Sequence, residues 1–490
     1  MTNKKVIVIG AGVAGLAAAV RLAIKGFEVI VYEKNSEPGG KLTAFKKNEF
    51  CFDAGPSLFT APLLIKELFD LAEEPMEQYF SYQKLPISFK YFYEDGTIVS
   101  AYANAKAFAN ELNEKLGEDV DCTINYFKNA SLLYNNTGAF FLNNSLHKFR
   151  SYFNSQLIKA FKGAKFVHIL SNLHSYNTSN FKNPKTVQLF NRFATYNGSN
   201  PYKAPAMLSM IPHLEINDGT YYPKGGMISI TNALYQLCLK KGVQFNFDKN
   251  VESIIHFKNN VKGVVVDGEN VFADTVISNC DVYFTYKKLL KNNIGAEKVL
   301  KRERSSSAVI FYWGISKEFK ELGLHNILFT NNYEAEFDNL FNRKIIYNDL
   351  TVYINITSKC EPEIQAPAGK ENWFVMVNAP SNSKIDWDEL MPTIKQLVVE
   401  KINRMLKCDI ESFIECEEVL HPSLIESKTS SYLGSLYGTS SNSKMAAFLR
   451  HPNFTNNYNG LYFVGGSVHP GGGIPLCLKS AKIVSELKCN

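Results

Sequence analysis

Four β-branched residues, Val6-Ile7-Val8-Ile9, run without a spacer into Gly10-Ala11-Gly12-Val13-Ala14-Gly15, and this junction restricts the fold more than any other stretch. Short runs of this type make buried parallel strands. A helical stretch at 16–25 follows, Gly26 stops it, and a second strand at 28–32 ends in Glu33. Strand, G-x-G-x-x-G turn, helix and strand form a complete βαβ unit. In such a unit Gly10 permits the tight turn, Gly12 lets the main chain approach a pyrophosphate, and Gly15 lets helix and strand pack closely. The positive helix end attracts the phosphates. Glu33 is placed to accept hydrogen bonds from a ribose, which disfavours a 2′-phosphate. The reading is an adenine dinucleotide, NAD or FAD. Lys4 and Lys5 before the apolar stretch 6–20, with Ala17-Ala18-Ala19 behind, outline a secretory signal. The three glycines and the acid one strand later fit a nucleotide turn better.

Glu37-Pro38-Gly39-Gly40-Lys41 and Phe52-Asp53-Ala54-Gly55-Pro56-Ser57 come next. A second glycine pair continues the backbone approach to the dinucleotide, and Lys41 can meet a phosphate oxygen as a point charge. The far end repeats the pattern. An apolar strand at 460–464 opens into Gly465-Gly466-Ser467, then His469-Pro470-Gly471-Gly472-Gly473-Ile474-Pro475, then a terminal helix at 476–487. Strand, glycine turn and helix again aim backbone amides at a ligand.

With Tyr221-Tyr222-Pro223-Lys224-Gly225-Gly226-Met227 and Ile277-Ser278-Asn279-Cys280-Asp281, these ends resemble the carotenoid desaturase family, the phytoene-desaturase-like flavoproteins. The resemblance spans the whole length. It implies an α/β fold: a Rossmann-type FAD-binding domain of the glutathione-reductase and amine-oxidase type, an inserted mixed-sheet substrate domain, and a helical membrane-facing segment. The FAD domain would be discontinuous, over 1–85, 216–290 and 421–490, with substrate parts at 86–215 and 291–420. Implied FAD contacts are Gly10, Gly12, Ala14, Gly15, Glu33, Lys34, Gly40, Lys41, Gly55, Pro56, Ser57 and Leu58. Val251 would meet the adenine, and Gly466, Gly473 and Ile474 the ribityl chain and isoalloxazine. Ser467-Val468-His469, Gly472 and Leu476-Cys477 depart from the phytoene pattern and look more like the 1-hydroxycarotenoid 3,4-desaturases. The substrate implied is a long apolar carotenoid drawn from a bilayer, with oxygen or a quinone as terminal electron acceptor.

Length and composition agree with a large soluble or peripheral enzyme. The 490 residues suggest two to four domains, with 45% apolar and 20% charged residues. Nine scattered cysteines show no C-x-x-C pair, which reads as reduced thiols of a cytosolic protein. No window approaches the roughly 18 apolar residues of a membrane span. Between Cys122 and Leu214 there is no acid, while ten Lys or Arg fall there: Lys128, Lys148, Arg150, Lys159, Lys162, Lys165, Lys182, Lys185, Arg192 and Lys203. Within this segment 146–164 reads as an amphipathic helix. Leu146, Phe149, Phe153, Leu157 and Phe161 lie on one face, with Lys148, Lys159 and Lys162 opposite. Such a helix suits an anionic membrane surface, here the inner face of the cell membrane; it also reads as a surface helix packed on its own domain. No nucleic-acid signature appears.

The substrate domain is predicted as a mixed sheet. Residues 90–94 and 97–102 alternate around Asp95-Gly96 as a hairpin, and 308–313, 350–356 and 373–378 read as strands roofing an apolar tunnel. Removing two hydrogens from a CH2-CH2 unit needs a hydride acceptor that no side chain provides, and a base for the proton. His469, beside the glycine loop, is the candidate acid/base, though a His next to Pro-Gly also reads as structural. Asp53 and Asp281 read as holding loops or ribose. No G-x-S-x-G turn and no metal-ligand spacing appears. The other readings are phytoene desaturation, a flavin amine oxidase, whose similar strand ends Gly-Glu rather than Gly465-Gly466, and a non-catalytic carotenoid-binding flavoprotein.

Overall fold

The computed structural model describes residues 4–145, 147, 166–382, 385–443 and 450–487. The amphipathic segment 146–164 lies outside the described residues apart from His147.

The βαβ unit nucleates a five-stranded parallel sheet. Its order is Leu461–Phe463, Thr275–Ser278, Lys5–Ile9, Glu28–Tyr32, Gln244–Asn246. The first strand therefore lies between one reached through the adjacent helix and one contributed 270 residues later. This reversal of strand order opens a crevice at the carboxyl ends, where open α/β sheets bind ligands. The helix Val13–Ile24 begins three residues before the predicted 16. Gly12 is already its extended N-cap, and the Gly12 carbonyl accepts from the Leu16 N–H at 2.9 Å. Ala17, Ala18 and Ala19 are fully buried, and their small side chains let the helices Ile228–Lys240 and Ile474–Leu487 pack against this one. The terminal helix also starts early, at Ile474 rather than 476, because Pro475 sits in a first turn that needs no N–H.

A seven-stranded mixed sheet forms the second layer. Its order is Ile414–Leu420, Ser307–Ile315, Glu371–Ala379, Val352–Ile356, His325–Leu328, Ile87–Phe92, Ile98–Tyr102. All neighbours are antiparallel except His325–Leu328 beside Ile87–Phe92. The hairpin is present with a longer loop than predicted, since Phe92 pairs with Ile98 and Gly96 takes a left-handed φ of 85° between them. Side-chain alternation divides the sheet's faces. On Glu371–Ala379, Trp373, Val375 and Val377 pack with Trp313, Trp387, Val398 and Ile402 beneath the helix Trp387–Leu406. Phe374, Met376 and Asn378 face the opposite way, into a cavity.

Not all ten basic residues of the acid-free segment reach the surface. Arg192 is buried against Glu215 at 2.8 Å, and Lys185 pairs with Asp95. The missing acids are supplied by other elements, which a count along the chain does not reveal.

Trp313 is fully buried at the centre of the outer sheet core. Trp313→Ala is expected to cost about 3–5 kcal/mol of stability, read as a shift of the denaturant midpoint at unchanged slope.

Candidate functional site

The carboxyl ends of the strands Lys5–Ile9, Thr275–Ser278 and Leu461–Phe463 open with two helix N-termini onto one cavity of about 1110 Å³. The cavity continues as a second half beneath the seven-stranded sheet. At its first end lie Glu33, Lys34, Asn35 and Val251; in its middle Gly10, Gly12, Ala14, Gly39, Gly40 and Lys41; beyond them Gly55, Pro56, Ser57, Leu58, Gly466, Gly473 and Ile474. The second half is walled by Phe89, Ile310, Ile327, Tyr353, Phe374 and Met376 on the sheet side, facing Met207, Leu208, Ile211 and Leu214.

Close backbone packing makes the first half. Gly12 bridges Gly39, and a Cβ on Gly12 would meet Asn279 Nδ2 at 2.7 Å. A Cβ on Gly55 would lie 1.7 Å from the Lys41 carbonyl, so the 55–58 loop is pressed onto the glycine-pair loop. Gly473, at φ 97°, would aim a Cβ into open space. The helix Val13–Ile24 has no side-chain cap, which leaves its first N–H groups for an anion, and Val13 and Ala14 line the cavity. An acid at one end, glycine backbone and helix N–H groups in the middle, and a passage into apolar space fit an adenine dinucleotide with its flavin end towards the sheet. Of the predicted cofactor residues, Gly15 alone is absent from the wall. Its Cβ would stand 2.2 Å from the Gly10 carbonyl, so the residue acts through helix–strand packing instead of a cofactor contact.

Charged groups here are mostly engaged with the protein. Glu33 is buried and accepts from the Ala11 N–H at 2.7 Å and the Asn35 N–H at 3.0 Å, which sets its carboxylate beside the turn. Lys41 lines the cavity, and its ammonium donates to the Leu436 and Ser435 carbonyls at 2.9 and 3.3 Å, while burial pulls its pKa down to about 8. Lys34 donates to the Ser427 carbonyl and Ser430 hydroxyl, both at 3.1 Å. Asp53 accepts twice from the Met227 N–H, at 2.9 and 3.0 Å, with burial raising its pKa to about 6. Asp281 pairs with Arg304 and accepts from the Tyr283 N–H at 3.0 Å. Both aspartates hold loops.

His469 lines the cavity yet is 2% exposed, and its Nε2 lies 3.0 Å from the Asn144 carbonyl, to which it donates. Burial lowers its pKa to about 4, so the ring is neutral at pH 7 and a weak base. The contact ties the glycine loop to the 139–145 segment. Asn279, Arg192 and Tyr353 also reach the wall and were not singled out as site residues. Asn279 belongs to the Ile277–Asp281 stretch and Tyr353 to the strand expected at 350–356, whereas nothing local to Arg192 points to the cavity.

Because the folded His469 releases its proton more readily than an unfolded histidine, its contribution to stability is complete above pH 6.5 and is lost as pH falls towards 4. His469→Gln is expected to keep bound flavin and to flatten the rise of unfolding free energy between pH 4 and 6.5. The change should reach about 1.4 kcal/mol per pH unit, measured by denaturant titrations.

Residues 13–487 match the family described as flavin-containing amine oxidoreductase. The chain is 51% identical to a 1-hydroxycarotenoid 3,4-desaturase of Flavobacterium sp. (strain P99-3), over 99% of both chains. It is 30% identical to a 4,4'-diaponeurosporene oxygenase of Staphylococcus haemolyticus (strain JCSC1435), over 99% of this chain and 97% of that one. In fold it is similar to an oxidoreductase from Methanosarcina mazei, with a TM-score of 0.66 at 16% identity, covering 98% of this chain and 100% of the other. A putrescine oxidase bound to putrescine superposes with a TM-score of 0.62 at 11% identity, over 100% and 99%. The glycine-built dinucleotide crevice, its continuation under a mixed sheet and the match across nearly the whole length have one common account: the chain belongs to the flavin-containing amine oxidoreductase family, and its cofactor is FAD.

Proposed function

We propose that this chain is an FAD-dependent carotenoid desaturase that removes two hydrogens across C-3/C-4 of a 1-hydroxylated carotenoid. The observation that carries the reading is the 51% identity, over 99% of both chains, to a protein named for that reaction. The cavity gives it a physical form, since a polyene can lie in the half beneath the sheet with one end at the glycine-lined half. In this reading residues 1–85, 216–290 and 421–490 build the cofactor domain and 86–215 and 291–420 the substrate domain. The predicted contacts that line the crevice, those from Gly10 to Leu58 together with Val251, Gly466, Gly473 and Ile474, serve as cofactor contacts.

Bound in the crevice, FAD supplies the hydride acceptor that the side chains lack. The protein supplies position and dryness. Phe374, Met376, Ile310 and Ile327 from the sheet and Met207, Leu208 and Ile211 opposite present apolar surface to the polyene and exclude water. The positive charge left by hydride loss is spread by the substrate's own conjugation, and the adjacent carbon then gives its proton to a base, a carboxylate, a His or water. His469, neutral and held by Asn144 through Nε2, positions the glycine loop and is the candidate His. Oxygen or a quinone takes the electrons onward.

No described helix is long and apolar enough to cross a membrane. We place the enzyme peripherally on the cytoplasmic face of the cell membrane. The basis is the acid-free basic segment and the alternation of Phe149, Phe153 and Phe161 with lysines in 146–164.

Expression in cells making 1-hydroxylated carotenoids, and separately in cells making phytoene, is expected to remove 2 Da from the hydroxylated pigment alone, read by chromatography and mass. Conversion of phytoene instead would replace the substrate assigned here. Changing Phe149, Phe153 and Phe161 together to Ser is expected to reduce pelleting with anionic liposomes while FAD stays bound; unchanged pelleting would remove the membrane assignment.

A further inference from the structure

Among the polar groups that interrupt the apolar wall beneath the sheet, which include Arg192, Tyr196, Thr351 and Asn378, one set forms a connected row. Ser57 and Tyr353 both line the space, and their oxygens are 2.8 Å apart. Tyr353 Oη lies 2.8 Å from His325 Nδ1. Behind them Asn355 Nδ2 is 3.1 Å from the same Nδ1 and 3.1 Å from the Leu324 carbonyl. Phe89 stacks on the His325 ring at 5.0 Å, fixing its plane. Their neighbours on the wall include Phe89, Ile310, Ile327, Leu58 and Phe374, all apolar.

Leu324 offers a carbonyl, which only accepts, so the Asn355 group facing it is the NH2. An imidazole Nδ1 has a single lone pair: either Asn355 and Tyr353 share it, or Nδ1 carries the proton and donates to Tyr353 Oη. In either tautomer Ser57 Oγ is bonded to Tyr353 Oη and keeps one further hydrogen-bonding position, as donor or acceptor, for the cavity. A ligand hydroxyl, which both donates and accepts, can fill it.

Resting on the desaturase reading above, we infer that the Ser57–Tyr353–His325–Asn355 row recognises the terminal hydroxyl of the carotenoid through a hydrogen bond to Ser57 Oγ. The chemistry places recognition here rather than at a distant tunnel end. A 1-hydroxyl oxygen is three bonds from C-3 and four from C-4, so its partner must stand beside the bond being oxidised. Ser57 stands where the two halves join: its loop is pressed onto the Gly39–Lys41 loop of the cofactor half while its hydroxyl bonds to Tyr353 of the sheet. The hydroxyl would set the register of the polyene, selecting which CH2-CH2 unit is presented. A carotenoid with hydrogen in place of the hydroxyl would leave nothing at the row to fix that register.

The test uses the full-length, FAD-loaded protein and two ligands, a 1-hydroxylated carotenoid and the same skeleton without the hydroxyl. Their dissociation constants are read from the carotenoid absorption shift on binding. The wild type is expected to favour the hydroxylated ligand about three- to tenfold, the worth of one net hydrogen bond. Ser57→Ala is expected to bring the ratio close to one, Ser57→Thr to restore it, and Tyr353→Phe, on the sheet and outside the cofactor loop, to shrink it. A wild-type ratio retained in flavin-bound Ser57→Ala overturns the inference, as does one retained in Tyr353→Phe if Ser57→Ala fails to hold flavin. A wild type that binds both ligands equally also overturns it but leaves the desaturase reading standing. A wild type that binds neither ligand overturns the proposed function itself.

Discussion

Everything in this protein is arranged around a place where side chains are sterically forbidden. The Gly12 backbone bridges Gly39, the Gly55 loop lies on the Lys41 carbonyl, and Gly15 meets the Gly10 carbonyl at a distance no Cβ could share. Three loops, from residues 10–15, 39–41 and 55–58, can therefore stack as bare backbone at the carboxyl ends of the parallel strands. The same exclusion leaves a crevice of main-chain dipoles and helix N–H groups, the surroundings a pyrophosphate needs. Were any of these contacts widened by a methyl group, the loops would separate and the cavity would lose its middle section.

The second consequence of that stack is the joining of two environments. The 55–58 loop belongs to the crevice through Gly55 and to the substrate half through Ser57, which bonds to Tyr353 of the seven-stranded sheet. Polar backbone on one side and Phe374, Met376 and Ile310 on the other thus line one continuous cavity. Redox chemistry on an apolar chain requires this adjacency, since the acceptor must be held by polar groups while the substrate must stay dry.

Buried charge in the structure is engaged in holding loops. Asp53 grips the Met227 amide, Asp281 pairs with Arg304, Lys41 spans the carbonyls of 435 and 436, and Arg192 is locked to Glu215. Asp53 and Lys41 reach partners 174 and 394 positions along the chain, whereas Asp281–Arg304 and Arg192–Glu215 each span 23.

The residues alone determined the local units. A β-branched run, glycines at fixed intervals and an acid one strand later specify a βαβ dinucleotide turn, because backbone approach and helix-end electrostatics are short-range properties of the chain. Strands read at 308–313, 350–356 and 373–378 likewise reappear in the sheet, since alternation is local. Helix starts were missed by two or three residues at both glycine turns, where Gly12 and Pro475 each let the helix begin earlier than a side-chain pattern suggests. What only the tertiary structure decided is which distant groups meet. Arg192 reads as one of ten basic surface residues until Glu215 is folded against it, and nothing local to Lys41 announces the 435 and 436 carbonyls that its ammonium meets. Ser57 and Tyr353 of the Ser57–Tyr353–His325 row are 296 positions apart, and neither local sequence, a glycine loop and a strand, shows that they pair. Hydrogen-bond direction and charge compensation depend on all the neighbours of a group, and a chain's neighbours exist only once it has folded.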